Sequence, residues 1–290
     1  MLPARVSWRF LAIVCLAIVP GPACRSAPAG SQSGSAAPRI VSLHDVTTEI
    51  VLALGAGDRL VGMSEPVDLP SRARAAVHRT LRVGGLESIV VLRPTAVLGM
   101  AVVAQRSPDL VATLRRKGVD VWLGHPTRLE DVVDLVTEVG ARVGATSQAQ
   151  ALGTRLRAGI GATEPPAREP VRVFVYDCCD PPFTAGRTAV LTDVIHRAGG
   201  RNIFADVAAD WTKVSWEEVI SRRPQLIVVH DYPYEGQGDV AEKRRRLAAL
   251  RALADIPVTV MPLGNALGGL RSFDGLAHLR KVLAENRERG

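Results

Sequence analysis

The sequence predicts an α/β protein built as two lobes joined by a single helix. Three observations carry this. Short apolar strands alternate with helical segments over residues 39–145, the same alternation restarts after residue 165, and one long helical stretch lies between them. Alternation of this βαβα kind implies parallel sheets covered by helices on both faces. The 290 residues, 47% hydrophobic and 22% charged, supply enough apolar side chains for cores of this size.

In the first lobe, residues 40–43 read as an apolar strand, 47–54 as a helix ending at Gly55, and 60–63 as a second strand. Residues 86–92 are helical and stop at Arg93-Pro94, because proline lacks an N–H and disfavours helical backbone before it. A strand at 96–100, a helix at 108–117 closed by Gly118, and a strand at 119–123 follow. Thr127 and Glu130 have the spacing of a capping box, in which each side chain satisfies an orphan backbone N–H. That box opens a helix with Leu129, Val132, Val133, Val136 and Val139 on one face. The bridging segment, 146–164, carries Ala149, Leu152, Leu156 and Ile160 at helical spacing and ends at Pro165-Pro166. Its helical part spans about 24 Å at 1.5 Å per residue. The second lobe, 165–290, repeats the theme: strands at 171–176, 226–230 and 258–261, and helices at 189–198, 240–252 and 272–286. A second capping box, Ser215 to Glu218, opens a short helix before Arg223-Pro224. Ligands of such sheets bind at the carboxyl ends of the strands, which here places them in a crevice between the lobes.

The chain opens with Arg5 and Arg9, an apolar run at 10–19, and then Cys24. Ten apolar residues are too few to span a bilayer, which needs roughly 20, so residues 1–23 read as a signal peptide and the protein as exported. Cys24 stands where a lipoprotein signal places its lipidated cysteine, although Gly21-Pro22-Ala23 lacks the usual leucine. Lipid anchoring at Cys24 and nearby cleavage without lipid both remain open. Residues 24–38, rich in Ala, Ser, Gly and Pro, form a flexible tether. The net charge of +7 falls to 34 basic against 29 acidic residues without Arg5 and Arg9. The cations are scattered, which argues against nucleic acid. The one dense run, Lys243 to Arg246, reads as a solvated helix face. Cys178 and Cys179 are adjacent, and with no third cysteine in the folded region they are not expected to form a disulfide framework. No G-x-S-x-G, P-loop, H-E-x-x-H or G-x-G-x-x-G motif is present, so no enzyme class is indicated.

Several segments carry a resemblance. Residues 39–43 (RIVSL), 48–62 (TEIVLALGAGDRLVG), 85–94 (GLESIVVLRP), 181–186 (PPFTAG), 198–204 (AGGRNIF), 211–219 (WTKVSWEEV) and 223–228 (RPQLIV) resemble the helical-backbone periplasmic binding proteins. That family includes iron-siderophore, haem and vitamin B12 binders. The resemblance implies two Rossmann-like lobes with parallel sheets bridged by one long α-helix, which closes little because a helix is a stiff hinge. It implies capture and release of a small-molecule metal chelate without covalent chemistry or cofactor. It also implies delivery to the permease and ATPase subunits of an ABC importer. By position, Glu87 and Glu217 are the two acidic residues that dock on the permease. Glu217 also complements the dipole of its own helix.

Candidate ligand residues follow from the strand ends. His44 and Asp45 follow the first strand, with a loop cap or a surface position as the alternative for His44. Asp177, Cys178, Cys179 and Asp180 follow the first strand of the second lobe; metal ligation, pocket lining and plain packing are the readings for the cysteines. Trp211 matches a crevice tryptophan of the vitamin B12 binders and offers a flat apolar face. Trp216 is read as structural. His230, Asp231, Tyr232 and Tyr234 leave a strand toward the crevice, with Tyr232 as ligand or rim residue. Arg271 is expected to meet an anionic ligand group. Ferric siderophore and cobalamin lead, haem follows, and a bare metal ion on His44, Cys178, Cys179 and His230 is a further reading. The metal site itself is left undetermined.

Overall fold

The computed structural model describes residues 37–161, 169–232 and 239–289. The signal segment, Cys24, residues 25–36 of the tether and Tyr234 lie outside the described residues. Described residues contain no helix long and apolar enough to cross a membrane.

The first lobe runs β1 (Ile40–Ser42), α1 (Asp45–Ala53), β2 (Leu60–Met63), α2 (Ser71–Ala76), β3 (Leu81–Arg82), α3 (Leu86–Val90), β4 (Ala96–Met100), α4 (Ala101–Arg106), α5 (Pro108–Arg116), β5 (Asp120–Gly124) and α6 (Leu129–Arg142). Its five strands are all parallel, in the order β3-β2-β1-β4-β5. The order reverses direction at β1 and β4, which is the topological switch point. β1 and β4 are buried along their whole length, as expected for central strands covered on both faces.

The bridging helix α7 (Thr146–Ile160) follows. Ala149 packs in the first lobe's core, Ile160 in the second lobe's, and Leu156 against both. A helix anchored in two cores cannot bend at one end without opening a cavity at the other.

The second lobe runs β6 (Val171–Tyr176), β7 (Phe183–Ala185), α8 (Val190–Arg197), β8 (Gly200–Asn202), β9 (Trp211–Lys213), α9 (Trp216–Ser221), β10 (Leu226–Asp231), α10 (Val240–Ala249), β11 (Val258–Pro262) and α11 (Ser272–Arg289). Its main sheet is parallel, in the order β11-β10-β6-β8. The switch point therefore falls between β6 and β10. β7 and β9 form a separate antiparallel pair at the carboxyl end of β6.

Helix α6 crosses between lobes: Leu129, Val132 and Val133 pack in one cluster with Val190, Leu191 and Ile195 of α8. Its start differs from the sequence expectation. Asp131, not Glu130, accepts from the Thr127 and Arg128 backbone N–H groups and from the Thr127 hydroxyl, at 2.8–3.0 Å. Glu130 instead pairs with Arg197 of the second lobe at 2.7 Å. At Ser215 one half of the expected box forms: the hydroxyl accepts from Glu218 N–H at 3.1 Å, while the Glu218 carboxylate pairs with Arg222 at 2.9 Å.

Candidate functional site: a crevice at two switch points

Each lobe presents the carboxyl end of its first strand at its switch point. In the first lobe this is His44. Its extended backbone (φ −157°) lets Nδ1 accept from Val46 N–H at 3.2 Å, so the imidazole caps α1. Burial pushes its pKa down to about 4, with Arg106 adding to the effect, so it is neutral at pH 7. Asp45 points inward: it is 5% exposed and accepts from Val67 and Asp68 N–H at 2.9 and 2.5 Å. Those bonds tie down the loop after β2 and occupy the carboxylate.

In the second lobe the equivalent place holds a buried polar network. Asp177 binds His230 Nδ1 at 2.6 Å and accepts from the Tyr232 hydroxyl at 2.7 Å. Burial would raise the Asp177 pKa, but the hydrogen bonds from His230 and Tyr232, with Lys243 nearby, hold it below the ordinary carboxylate range. Lys243 donates to the His230 carbonyl at 2.6 Å and lies 4.8 Å from the Tyr232 ring. Burial pushes its pKa down to about 8. The basic run is therefore not a uniformly solvated face: Arg244 and Arg245 are exposed, whereas Lys243 is 2% exposed. A lysine goes inside only where acceptors and counter-charges meet it, and the end of β10 supplies them.

Trp211, at the start of β9, is half-buried. It stacks on Phe183 with centroids 6.0 Å apart and meets the His230 ring at 5.7 Å and 64°. Cys178 and Cys179 are joined in a disulfide between neighbours, contrary to the sequence expectation. Cys179 adopts a left-handed backbone (φ 76°) and its carbonyl accepts from the Tyr176 hydroxyl at 3.0 Å. An oxidised pair offers no thiolate to a metal. Asp180 is exposed, accepts from Trp216 Nε1 at 2.9 Å and pairs with Arg246 at 3.3 Å. Asp180 and Arg246, together with Tyr176, Cys179, Glu242 and Lys243, line a cavity of about 270 Å³.

Arg271 has a different employment from the one expected. It pairs with Glu49 at 2.6 Å and Asp68 at 2.9 Å, and it also donates to the Asp68 carbonyl. Gly264 N–H adds a bond to Asp68 at 2.7 Å. The β11–α11 connection is thus clamped onto the first lobe, and the guanidinium is saturated by protein. A second clasp joins α6 to α8: Asp193 accepts from Leu129 N–H at 2.9 Å and from Arg197 at 2.8 Å.

Glu87 and Glu217 occupy matching positions. Each is the second residue of a short helix, α3 or α9, that leads into the strand paired with its lobe's first strand. Both are exposed, and neither forms an ion pair among the described residues. Shortly after each helix comes an arginine with positive φ, Arg93 or Arg223, followed by proline. Sequence reasoning passed over Glu49 and Asp68 and read Lys243 as solvated. No local motif marks them; their partners come from distant segments. Among the described residues no three of His, Cys, Asp and Glu stand together as a metal site.

Comparison with known proteins agrees with this architecture. Residues 40–262 match the family model described as "Periplasmic binding protein". A vitamin B12-binding protein of Yersinia pestis (strain Pestoides F) is 31% identical over 198 residues, 67% of this chain and 70% of the relative. A periplasmic binding protein from Veillonella parvula superposes with a TM-score of 0.74 at 24% identity, covering 86% of this chain and 91% of that one. An apo periplasmic haem-binding protein from Roseiflexus sp. RS-1 superposes with a TM-score of 0.70 at 26% identity, covering 86% and 99%. Two parallel-sheet lobes on one bridging helix, matched in sequence over most of their length, make this chain a member of the periplasmic binding protein family.

Proposed function

We propose that this chain is the exported capture subunit of an ABC importer, taking a ferric siderophore or cobalamin between its lobes. The observation that carries the reading is the matched pair Glu87 and Glu217. Two unpaired, exposed carboxylates at equivalent points of two lobes suit a partner with paired cationic pockets, and complementary charge of this kind fixes docking register. The crevice chemistry supports a chelate as cargo. It has an aromatic face in Trp211 and Phe183, a neutral His44 and no group of three metal donors among the described residues. A metal reaching this crevice therefore arrives with its own ligands. That same lack, with both cysteines in a disulfide, weighs against bare metal ions. Haem is the next reading, supported by the Roseiflexus likeness.

Anchoring through lipid on Cys24 belongs to this proposal and is checked by labelling the expressed chain with a radiolabelled fatty acid; incorporation that persists in Cys24→Ser would refute it. The cargo is tested on the full chain by tryptophan fluorescence. Cobalamin, ferric hydroxamate and catecholate complexes, haemin and free Co²⁺, Zn²⁺ and Fe³⁺ are titrated in turn. One chelate is expected to quench at micromolar concentration or below, with the quench lost in Trp211→Ala. Response to bare ions alone would overturn the reading.

A further inference from the structure

The disulfide between Cys178 and Cys179 sits in a tight hairpin that joins β6 to β7. Asp177 N–H donates to the Phe183 carbonyl at 3.0 Å and Phe183 N–H to the Cys178 carbonyl at 2.9 Å, so residues 179–182 form the turn. Both ends of the hairpin belong to the candidate site. Asp177 holds His230 and Tyr232, and Phe183 stacks on Trp211. The turn is tied to its surroundings as well. The Tyr176 hydroxyl donates to the Cys179 carbonyl at 3.0 Å, Trp216 Nε1 to Asp180 at 2.9 Å, and Val214 N–H to the Pro182 carbonyl at 3.0 Å. Cys179 stands at φ 76°. A residue with a Cβ is disfavoured in that left-handed backbone by roughly a factor of ten in population. Neighbouring residues joined through sulfur close a small ring around one peptide unit, and that ring restricts the backbone of both. Both cysteines are partly exposed, and Cys179 lines the cavity beside Asp180 and Arg246, so a small thiol can reach the bond.

We propose that this disulfide is a redox switch on the capture site: reduction lets Cys179 leave its left-handed backbone, loosens the hairpin that carries Asp177 and Phe183, and weakens cargo binding. The inference rests on the capture reading above and adds a control to the same site. The reaction is thiol–disulfide exchange with a small dithiol as reductant. One thiolate of the dithiol attacks one sulfur of the pair and forms a mixed disulfide, which the second thiolate then displaces. The dithiol leaves as a disulfide, and Cys178 and Cys179 take up both electrons and both protons as a pair of thiols. A disulfide oxidant reverses each step. The effect is local. Closing so small a loop restricts the unfolded chain little, so the two main sheets keep their stability while the turn loses its constraint.

The test uses the full chain, oxidised and after dithiothreitol, with the reductant removed under nitrogen and the state of Cys178 and Cys179 mapped by alkylation. Amide exchange at Asp177 and Phe183 is expected to rise about tenfold on reduction, with β4 unchanged. Aquocobalamin, haemin and a ferric trihydroxamate are then titrated into both forms. The chelate that binds oxidised protein should bind the reduced form about tenfold more weakly. Cys178→Ser with Cys179→Ser should match the reduced protein and ignore dithiothreitol, which also controls for Cys15 and Cys24. Cys178→Ser with Cys179→Gly should ignore dithiothreitol yet exchange and bind like the oxidised protein, because glycine adopts positive φ without a disulfide. Equal affinity of the oxidised and reduced forms would overturn the switch, whatever the exchange shows, and leave the capture reading standing. A glycine variant that behaves like the reduced protein would overturn it too. Failure of all three chelates to bind the oxidised protein would overturn the chelate reading itself, and this inference with it.

Discussion

The clamp between Arg271, Glu49 and Asp68 predicts an unusual pH dependence. Burial holds the Glu49 carboxyl at about 7 rather than 4.5, with Arg271 opposing the rise and Asp45 and Asp68 adding to it. Between those two values the folded protein keeps a proton that the unfolded chain has released. The folded state binds more protons there, so stability is full below about pH 4.5 and declines as pH rises through about 7. At about 1.4 kcal/mol per pH unit, the decline attributable to Glu49 is about 3 kcal/mol. For a chain of this size that corresponds to roughly 6–12 °C in Tm. The assay is thermal or urea unfolding of wild type and Glu49→Gln from about pH 4 to 8.5, a range bracketing the window. Asp45, Asp68 and Arg271 remain in both proteins, so the difference between the two curves isolates Glu49. Wild type should lose ground to the variant across the window and run parallel to it outside. Parallel curves throughout would show that Glu49 ionises normally and that the clamp is a plain surface ion pair.

Other outcomes follow from the same geometry. Glu87→Lys with Glu217→Lys is expected to abolish importer-dependent uptake while ligand affinity in solution is retained; lost affinity would remove both residues from the docking surface. Asp193→Ala strands Leu129 N–H and leaves Arg197 with Glu130 as its ion-pair partner, and should lower unfolding free energy by about 2 kcal/mol with an unchanged m-value; a change under about 0.5 kcal/mol would mean that the Asp193 bonds contribute nothing measurable. Peptide mapping of unreduced, alkylated protein should recover Cys178 and Cys179 unmodified as one oxidised peptide. The double serine variant should fold with a stability loss of about 1 kcal/mol, because closing so small a loop restricts the unfolded chain little. Alkylated cysteines before reduction would remove the disulfide.

Strands and helices of the two main sheets were legible because their signals are local. Central strands such as β4 and β10 are continuous apolar runs between breakers, and Arg93-Pro94 and Arg223-Pro224 mark equivalent stops. β3, β7 and β9, at two or three residues each, are too short to show a period. The site divides in the same way. His44, Asp177 and His230 were legible as strand ends, and Trp211 by the segment around it. Arg271 was visible as a cation, but its partners lie 222 and 203 residues away, so its saturation was not. Lys243 looked solvated because its neighbours Arg244 and Arg245 are. The carbonyl of His230, on β10, and the carboxylates of Asp177, Asp231 and Asp239 explain its burial. Thr127 chose Asp131 over Glu130 because Arg197, from the other lobe, claims Glu130. For Arg271, Lys243 and Glu130 a contact from another segment overrides a sound local rule.

The contacts between lobes bear on how cargo enters. Helix α7 is anchored in both cores, α6 contributes Leu129, Val132 and Val133 to the second lobe's cluster, and Arg197 with Glu130 and Arg271 with Glu49 clasp the two lobes with partly buried ion pairs. Wide rotation of one lobe would expose those leucine and valine side chains, at about 25 cal/mol per Å² of apolar surface, and leave buried charges unpaired, which costs several kcal/mol each. No ligand recovers both terms from a few polar contacts. On the proposed reading release needs an outside force on the lobes, and Glu87 and Glu217, exposed and one per lobe, are where the importer would apply it.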